Sequence, residues 1–179
     1  MGIYHHVDTP GERAVAPVQW DGASERQAPG SSSRSVSSAW RPGPLRCEVA
    51  AGPFRIAVDE PESVGGTGAA PQPTDLLLAS AASCFTLAFV HSAAKHGIPL
   101  TDLRVDVVAD YAGRSFSALR IGVAATGPDP QDVARLLEAA ARACYVTNTL
   151  RSGISVEVFA VPRTEGTGPN GAAALSPIS

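Results

Sequence analysis

From Leu76 to Val90, inside "PTDLLLASAASCFTLAFVHSAAKHG" at 73–97, almost every residue is apolar. Thr74 and Asp75 can cap and charge the start of a helix here, and Gly97 suits its C-terminal cap. A helix without a polar face must be covered on every side. The stretch contains no run of about 18 strictly apolar residues, so no membrane span is expected. The helix should therefore lie at the centre of a globular unit, and a chain of 179 residues is long enough for one domain with a true core.

The segments on either side alternate as strands do. "LRCEVAAG" and "FRIAVDE" flank Gly52-Pro53 and read as a hairpin, with "VSSAW" at 36–40 as a short strand before them. Phe54, Ile56 and Val58 share one face of the second arm. "PESVGGTGAAPQP" is too rich in Gly and Pro for regular structure, and Asp59 and Glu60 belong to a strand end and turn. "LRVDVVADY" and "FSALRIGVAATG" form a second hairpin. Asp129-Pro130 opens a second helix whose apolar set is Val133, Leu136, Leu137, Ala140 and Cys144, so Cys144 faces the core. "GISVEVFAV" reads as a closing strand. The order is βββ-α-ββ-α-β, an α+β fold. Residues 1–34 and 163–179 are Ser/Gly/Pro-rich or aperiodic and are expected to be disordered around a folded unit at 35–162. Six short strands and one further helix make a thin cover for the apolar helix. A second copy of the chain would complete it, so an intertwined homodimer is expected.

A formal charge of −3 gives no reason to expect a nucleic-acid partner. The first residues lack a charged leader followed by an apolar stretch, so the expected compartment is the cytoplasm. Three cysteines, Cys47, Cys84 and Cys144, are too few and too odd in number for a secreted disulfide scaffold. None lies close to another in sequence, so no metal site is expected. "GGTGAAPQP" is not a phosphate loop, because no Lys-Ser/Thr pair follows its glycines.

Cys84 and Cys144 both fall on inward helix faces. They are either small core hydrophobes or a pair of thiols that meet where the helices pack. A reactive thiolate would need a cation, since Cys84 is too deep in its helix for the N-terminal dipole to act; Arg41, Arg46 and Arg55 precede the helix. His91 lies two turns beyond Cys84, roughly 10 Å away, and is read as structural or solvent-facing. Asp75 is either a helix-start charge or a carboxylate that orients an arginine. Cys47, in a strand, is given no chemistry, and neither are His5 and His6.

Three segments in register resemble the OsmC/Ohr family, the osmotically inducible and organic hydroperoxide resistance proteins. "FRIAVDEPESVGGTGAAPQPTDLLLASAASC" is similar to the family's strand, Gly-Gly loop, helix start and first-cysteine approach. "KHGIPLTDLRVDV" and "ARACYVTNTLRSGISVEV" resemble the exit from that helix and the second-cysteine segment with the last strand. The resemblance covers about residues 36–161. It implies an intertwined homodimer with sheets wrapped around central helices. It implies a peroxidase in which Cys84 attacks an organic hydroperoxide and becomes a sulfenic acid, and Cys144 condenses with it to a disulfide. Arg41 (or Arg46) and Asp75 would be the supporting residues. No cofactor would be needed beyond an external dithiol reductant of lipoyl type, and the substrate would be a hydrophobic small molecule. The chain departs from the family pattern at Thr74, where the Ohr branch carries its carboxylate, and at Tyr145, where many members have proline. An alternative keeps the fold and assigns it a biosynthetic step on, or carriage of, an apolar small molecule.

Overall fold

The computed structural model describes residues 34–158 and 160. The head expected at 1–34 lies, Arg34 apart, outside the described residues, as do the tail at 163–179, His5 and His6. Residues Ser35–Ser155 form one compact unit.

Its elements follow the alternation and the caps. β1 (Ser37–Trp40), β2 (Arg46–Ala51) and β3 (Phe54–Asp59) make an antiparallel sheet in that order. The β2–β3 turn sits on Gly52-Pro53, with Gly52 at a positive φ of 59° that favours glycine. β4 (Asp102–Ala112) and β5 (Ser115–Thr126) form a second antiparallel hairpin. Between the hairpins runs α1 (Pro73–His96), and after them come α2 (Pro130–Ala143) and α3 (Tyr145–Ser152). This is an α+β fold, as the strand and helix order predicts.

The helix ends have identifiable causes. Asp129 caps α2 by accepting the Asp132 N–H at 2.8 Å, and Pro130 occupies the first helical position, where its missing N–H is harmless. Gly97 closes α1 at φ 65°, and its N–H reaches the Ala94 carbonyl at 3.2 Å. The start of α1 differs from the sequence expectation. Its cap is Gln72, and Asp75, at the third helical position, reaches back to accept the Gln72 N–H at 3.0 Å.

The core is the seam between α1 and α2. Phe85, Phe89 and Ala93 pack with Leu136, Ala140 and Cys144, with Leu103 and Val105 of β4 and Ile121, Val123 and Ala125 of β5 against them. Phe89 and Leu136 are almost wholly withdrawn from water, and each contributes about 1.5–3 kcal/mol through burial.

α1 is incompletely covered within one chain, as the thin cover read from the sequence implies: Leu87 is 69% exposed, and Leu77 and Val90 also face outward. Two expectations need correction. This helix is also long and apolar enough to cross a membrane by length and composition, because interspersed Ser, Thr and Ala do not lower its mean hydropathy enough to disqualify it. Its inner face packs on β4 and α2. Finally, Gly153–Val158 forms no strand; Ile154 and Val158 are exposed, and no described neighbour offers a ladder to alternate against.

The Gly/Pro-rich loop before α1 is an ordered loop built on one carboxylate. Asp59, 1% exposed, accepts the N–H groups of Glu60 at 2.9 Å, Thr67 at 3.0 Å and Ala69 at 3.0 Å, and the Thr67 hydroxyl. The Thr67 hydroxyl bond outweighs the burial that disfavours charge, and the three amides add to it, so the carboxyl is held down to about 2. Gly66 passes so close to the β3 end that a Cβ there would lie 1.8 Å from the Glu60 carbonyl oxygen. Gly66→Ala should therefore destabilise the unit by about 1–3 kcal/mol in chemical denaturation.

Asp59 also makes a pH prediction. Its folded value lies below the roughly 3.9 of an unfolded aspartate. Its contribution is therefore complete above about pH 4 and is lost as pH falls through about 2. Asp59→Asn should lower the melting temperature at pH 7 and flatten its decline between those two pH values; melting curves that fall in parallel for both proteins would contradict the assignment.

Candidate functional site

α1 and the α2–α3 junction bring two sulfurs together. Cys84 immediately precedes Phe85, on the flank of the buried stripe Ala81, Phe85, Phe89 and Ser92, and is half-buried. Cys144 lies one turn beyond Ala140 and is 0% exposed. Its backbone is extended (φ −75°, ψ 106°), which ends α2 and opens α3. The Cys144 N–H still donates to the Ala140 carbonyl at 2.8 Å, and its own carbonyl accepts the Asn148 N–H at 3.1 Å. The Asn148 side-chain amide donates to the Arg142 carbonyl at 2.9 Å and clasps the two helices across the break. Cys84 packs against the buried cluster that contains Cys144, and both are free thiols.

The surroundings of Cys144 favour its thiolate. Burial pushes the thiol up. The Thr147 hydroxyl, the Thr147 and Val146 amides at the start of α3, and the Cys84 thiol all face the sulfur, and together they outweigh burial, so the net displacement is downward. The amides stand off without a close capping bond. Thr147 is itself buried, and its hydroxyl lies 3.3 Å from the Cys144 carbonyl oxygen. That hydroxyl has one hydrogen, so it serves either the carbonyl or the sulfur. The carbonyl bond is long, and an ionised sulfur is the stronger acceptor.

The other residues singled out by the sequence lie elsewhere. Arg41 is exposed just past β1, and Arg46 begins β2. Among the described residues, no hydrogen bond joins either guanidinium to Cys84. Asp75 is an exposed part of the α1 cap, roughly 13 Å along the helix from Cys84. His91 is exposed, and Cys47 sits on β2 opposite Trp40 and Val58. Among the described residues no group of three metal-ligating side chains converges. A cavity of about 260 Å³ beside the end of α1, lined by His96, Ile98, Arg135 and Arg142 among others, does not border either cysteine.

Thr147 is the residue that sequence reasoning passed over. The signal was present: a hydroxyl three residues after a cysteine, where a helix N-cap and its third position would face each other. It went unread because α3 was not expected.

The sequence matches the OsmC-like protein family over residues 66–159. Solved structures share the fold. A putative osmotic stress induced and detoxification response protein from Psychrobacter arcticus is 23% identical, with a TM-score of 0.57 over 66% of this chain and 89% of that one. An organic hydroperoxide resistance protein from Legionella pneumophila is 24% identical, with a TM-score of 0.50 over 67% and 90%. A putative organic hydroperoxide resistance protein from Vibrio cholerae, solved with captopril bound in one of its active sites, is 26% identical, with a TM-score of 0.51 over 70% and 90%. No curated protein matches the chain.

If Thr147 supports the Cys144 thiolate, Thr147→Val should raise the pH at which Cys144 ionises. The measurement is ultraviolet thiolate absorbance in a Cys47→Ser/Cys84→Ser background, where Cys144 is the only thiol. Superimposable titrations would assign the hydroxyl to the carbonyl alone.

Proposed function

We propose, from the premise that the chain belongs to the OsmC-like protein family, that it reduces organic hydroperoxides with Cys84 as the peroxide-reactive thiol and Cys144 as its resolving partner. The observation that carries this reading is the packing of two free cysteines, one half-exposed and one fully buried, around one core cluster although they lie far apart in sequence. The half-exposed sulfur is the one a substrate can reach. Its attack on the peroxide oxygen releases an alcohol and leaves a sulfenic acid, and condensation with Cys144 releases water and forms the disulfide. An external dithiol, of lipoyl type, then exchanges with that disulfide and restores both thiols. Apolar side chains around the pair favour an organic hydroperoxide over hydrogen peroxide. Sulfur carries the electrons, so the reaction needs no metal or resident cofactor. A cycle that ends in thiols suits the reducing cytoplasm.

The same reading includes a second copy of the chain. Leu87 and Val90 on the outer face of α1, and Trp40, Phe54 and Ile56 on the first sheet, are apolar and exposed in the single chain. An intertwined homodimer would cover them. Arg41 enters only across that interface, as a cation from the second copy beside the peroxide.

Wild-type protein with an excess of dithiol should consume cumene hydroperoxide over many turnovers. Cys84→Ser should lose consumption altogether, while Cys144→Ser should stop after one equivalent. Failure of the wild type to consume the hydroperoxide with any dithiol would overturn the assignment. Light scattering at micromolar concentration should give twice the chain mass; a monomer would remove the second copy from the account.

A further inference from the structure

The cavity of about 260 Å³ at the end of α1 lies apart from both cysteines, and two local devices build it. The first is the turn that closes α1. Gly97 takes the left-handed conformation (φ 65°), which lets the Ile98 N–H fold back onto the Ala93 carbonyl at 3.0 Å. Ile98 is thereby laid against the core cluster, beside the exposed His96. The second device is one face of α2. Arg135, Ala139 and Arg142 recur at spacings of four and three, so they share that face. The two arginines are two turns, about 10 Å, apart along the axis. Ala139 between them is small, and the hollow is the space that a longer side chain would fill. Buried Leu136 and half-buried Ile98 give it an apolar floor, and the exposed arginines and His96 form its rim.

The charge on that rim is loosely committed. Arg135 pairs with Asp132 at 3.0 Å and Arg142 with Glu138 at 3.6 Å, yet the two arginine side chains are 68% and 71% exposed. Exposed pairs within one helix are weak, and a guanidinium fork accepts a better-placed carboxylate through two parallel bonds. His96 Nδ1 lies 2.7 Å from the Ser92 carbonyl oxygen, which only accepts, so Nδ1 holds the hydrogen. Nε2 bonds no other described residue and is left to meet a ligand, as a donor to a carboxylate once the ring is protonated. Lys95, in the same last turn, is exposed and pairs with no carboxylate among the described residues. Lys95, Arg135 and Arg142 thus stand against Asp132 and Glu138. That balance favours a ligand with one negative charge, and the two carboxylates disfavour a second.

We propose that this cavity binds a small monocarboxylate with an apolar body. The carboxylate lies on the Arg135, Arg142 and His96 rim, and the apolar part on Leu136, Ile98 and Ala139. A volume a little under the roughly 300 Å³ at which drug-sized sites begin suits a single ring and its carboxylate. The site does not depend on the sulfur chemistry.

The test is a titration of the isotopically labelled full chain with benzoate, benzamide and inorganic phosphate, followed by amide chemical shifts. Benzoate should bind with a Kd on the order of 1 mM and move the amides of His96, Ile98, Ala139 and Arg142 most. Benzamide keeps the shape without the charge, and phosphate keeps the charge without the apolar body; each should bind about tenfold more weakly or worse. Arg142→Gln should weaken benzoate about tenfold. Ala139→Leu, which keeps a good helix former while filling the hollow, should abolish binding. Unchanged spectra outside α2 and the end of α1 show that both variants are folded. Arg120→Gln, which removes an exposed guanidinium from β5, should bind benzoate as wild type does. Benzoate shifts scattered over the surface would overturn the inference. So would benzamide or phosphate matching benzoate, or full binding by Ala139→Leu. Peroxide consumption does not enter the readout, so this inference and the peroxidase reading fail separately.

Discussion

The packing of Phe85 and Phe89 on α1 against Leu136 and Ala140 on α2 is the contact on which the rest of the molecule depends. It buries the inner side of a helix that has almost no polar face, and it also fixes the two cysteines. Cys84 is the residue before Phe85, and Cys144 is one turn past Ala140, so neither sulfur can move far unless the seam opens. Truncating either phenylalanine would cost about 3–5 kcal/mol and would loosen the sulfur pair with it. Stability and reactivity draw on the same few side chains.

The break between α2 and α3 gives the pair its asymmetry. An uninterrupted helix would leave Cys144 with its peptide groups engaged along the axis and no donors free near its sulfur. The extended backbone at Cys144 starts a new helix at that point and turns unused N–H groups and the Thr147 hydroxyl towards the sulfur. Cys84, in mid-helix, has no such donors, because the amides around it are spent on the turn before. One cysteine is therefore half-exposed and the other is fully buried at a helix start. The Asp59 loop plays a comparable part at the other end of α1, where one buried carboxylate fixes the loop that leads into the capped first turn.

Much of this was legible in the residues. The two hairpins, the Asp129-Pro130 helix start and the Gly97 helix end are local signals, and each is satisfied locally. What was not legible depends on distant partners. "GISVEVFAV" alternates like a strand but has no described ladder to join, so its alternation is unused within the chain. α3 was invisible because Val146, Thr147 and Thr149 are indifferent helix formers; the turn is held by Asn148 reaching back to the Arg142 carbonyl, which propensity does not register. Asp59 looked like a turn residue because the donors that surround it, Thr67 and Ala69, come from well along the loop. Arg41 is the reverse case: its type suits a thiolate partner, but it is exposed and no hydrogen bond joins it to either cysteine among the described residues.

The account stands or falls on the two sulfurs responding to a hydroperoxide as one unit, and peptide mapping with intact-mass analysis reads this directly. Reduced protein treated with one equivalent of cumene hydroperoxide should lose the mass of two hydrogens, with the new bond between the Cys84 and Cys144 peptides and Cys47 still alkylatable. A gain of oxygen retained on Cys84 while Cys144 stays a free thiol, or a disulfide that runs through Cys47, would contradict it.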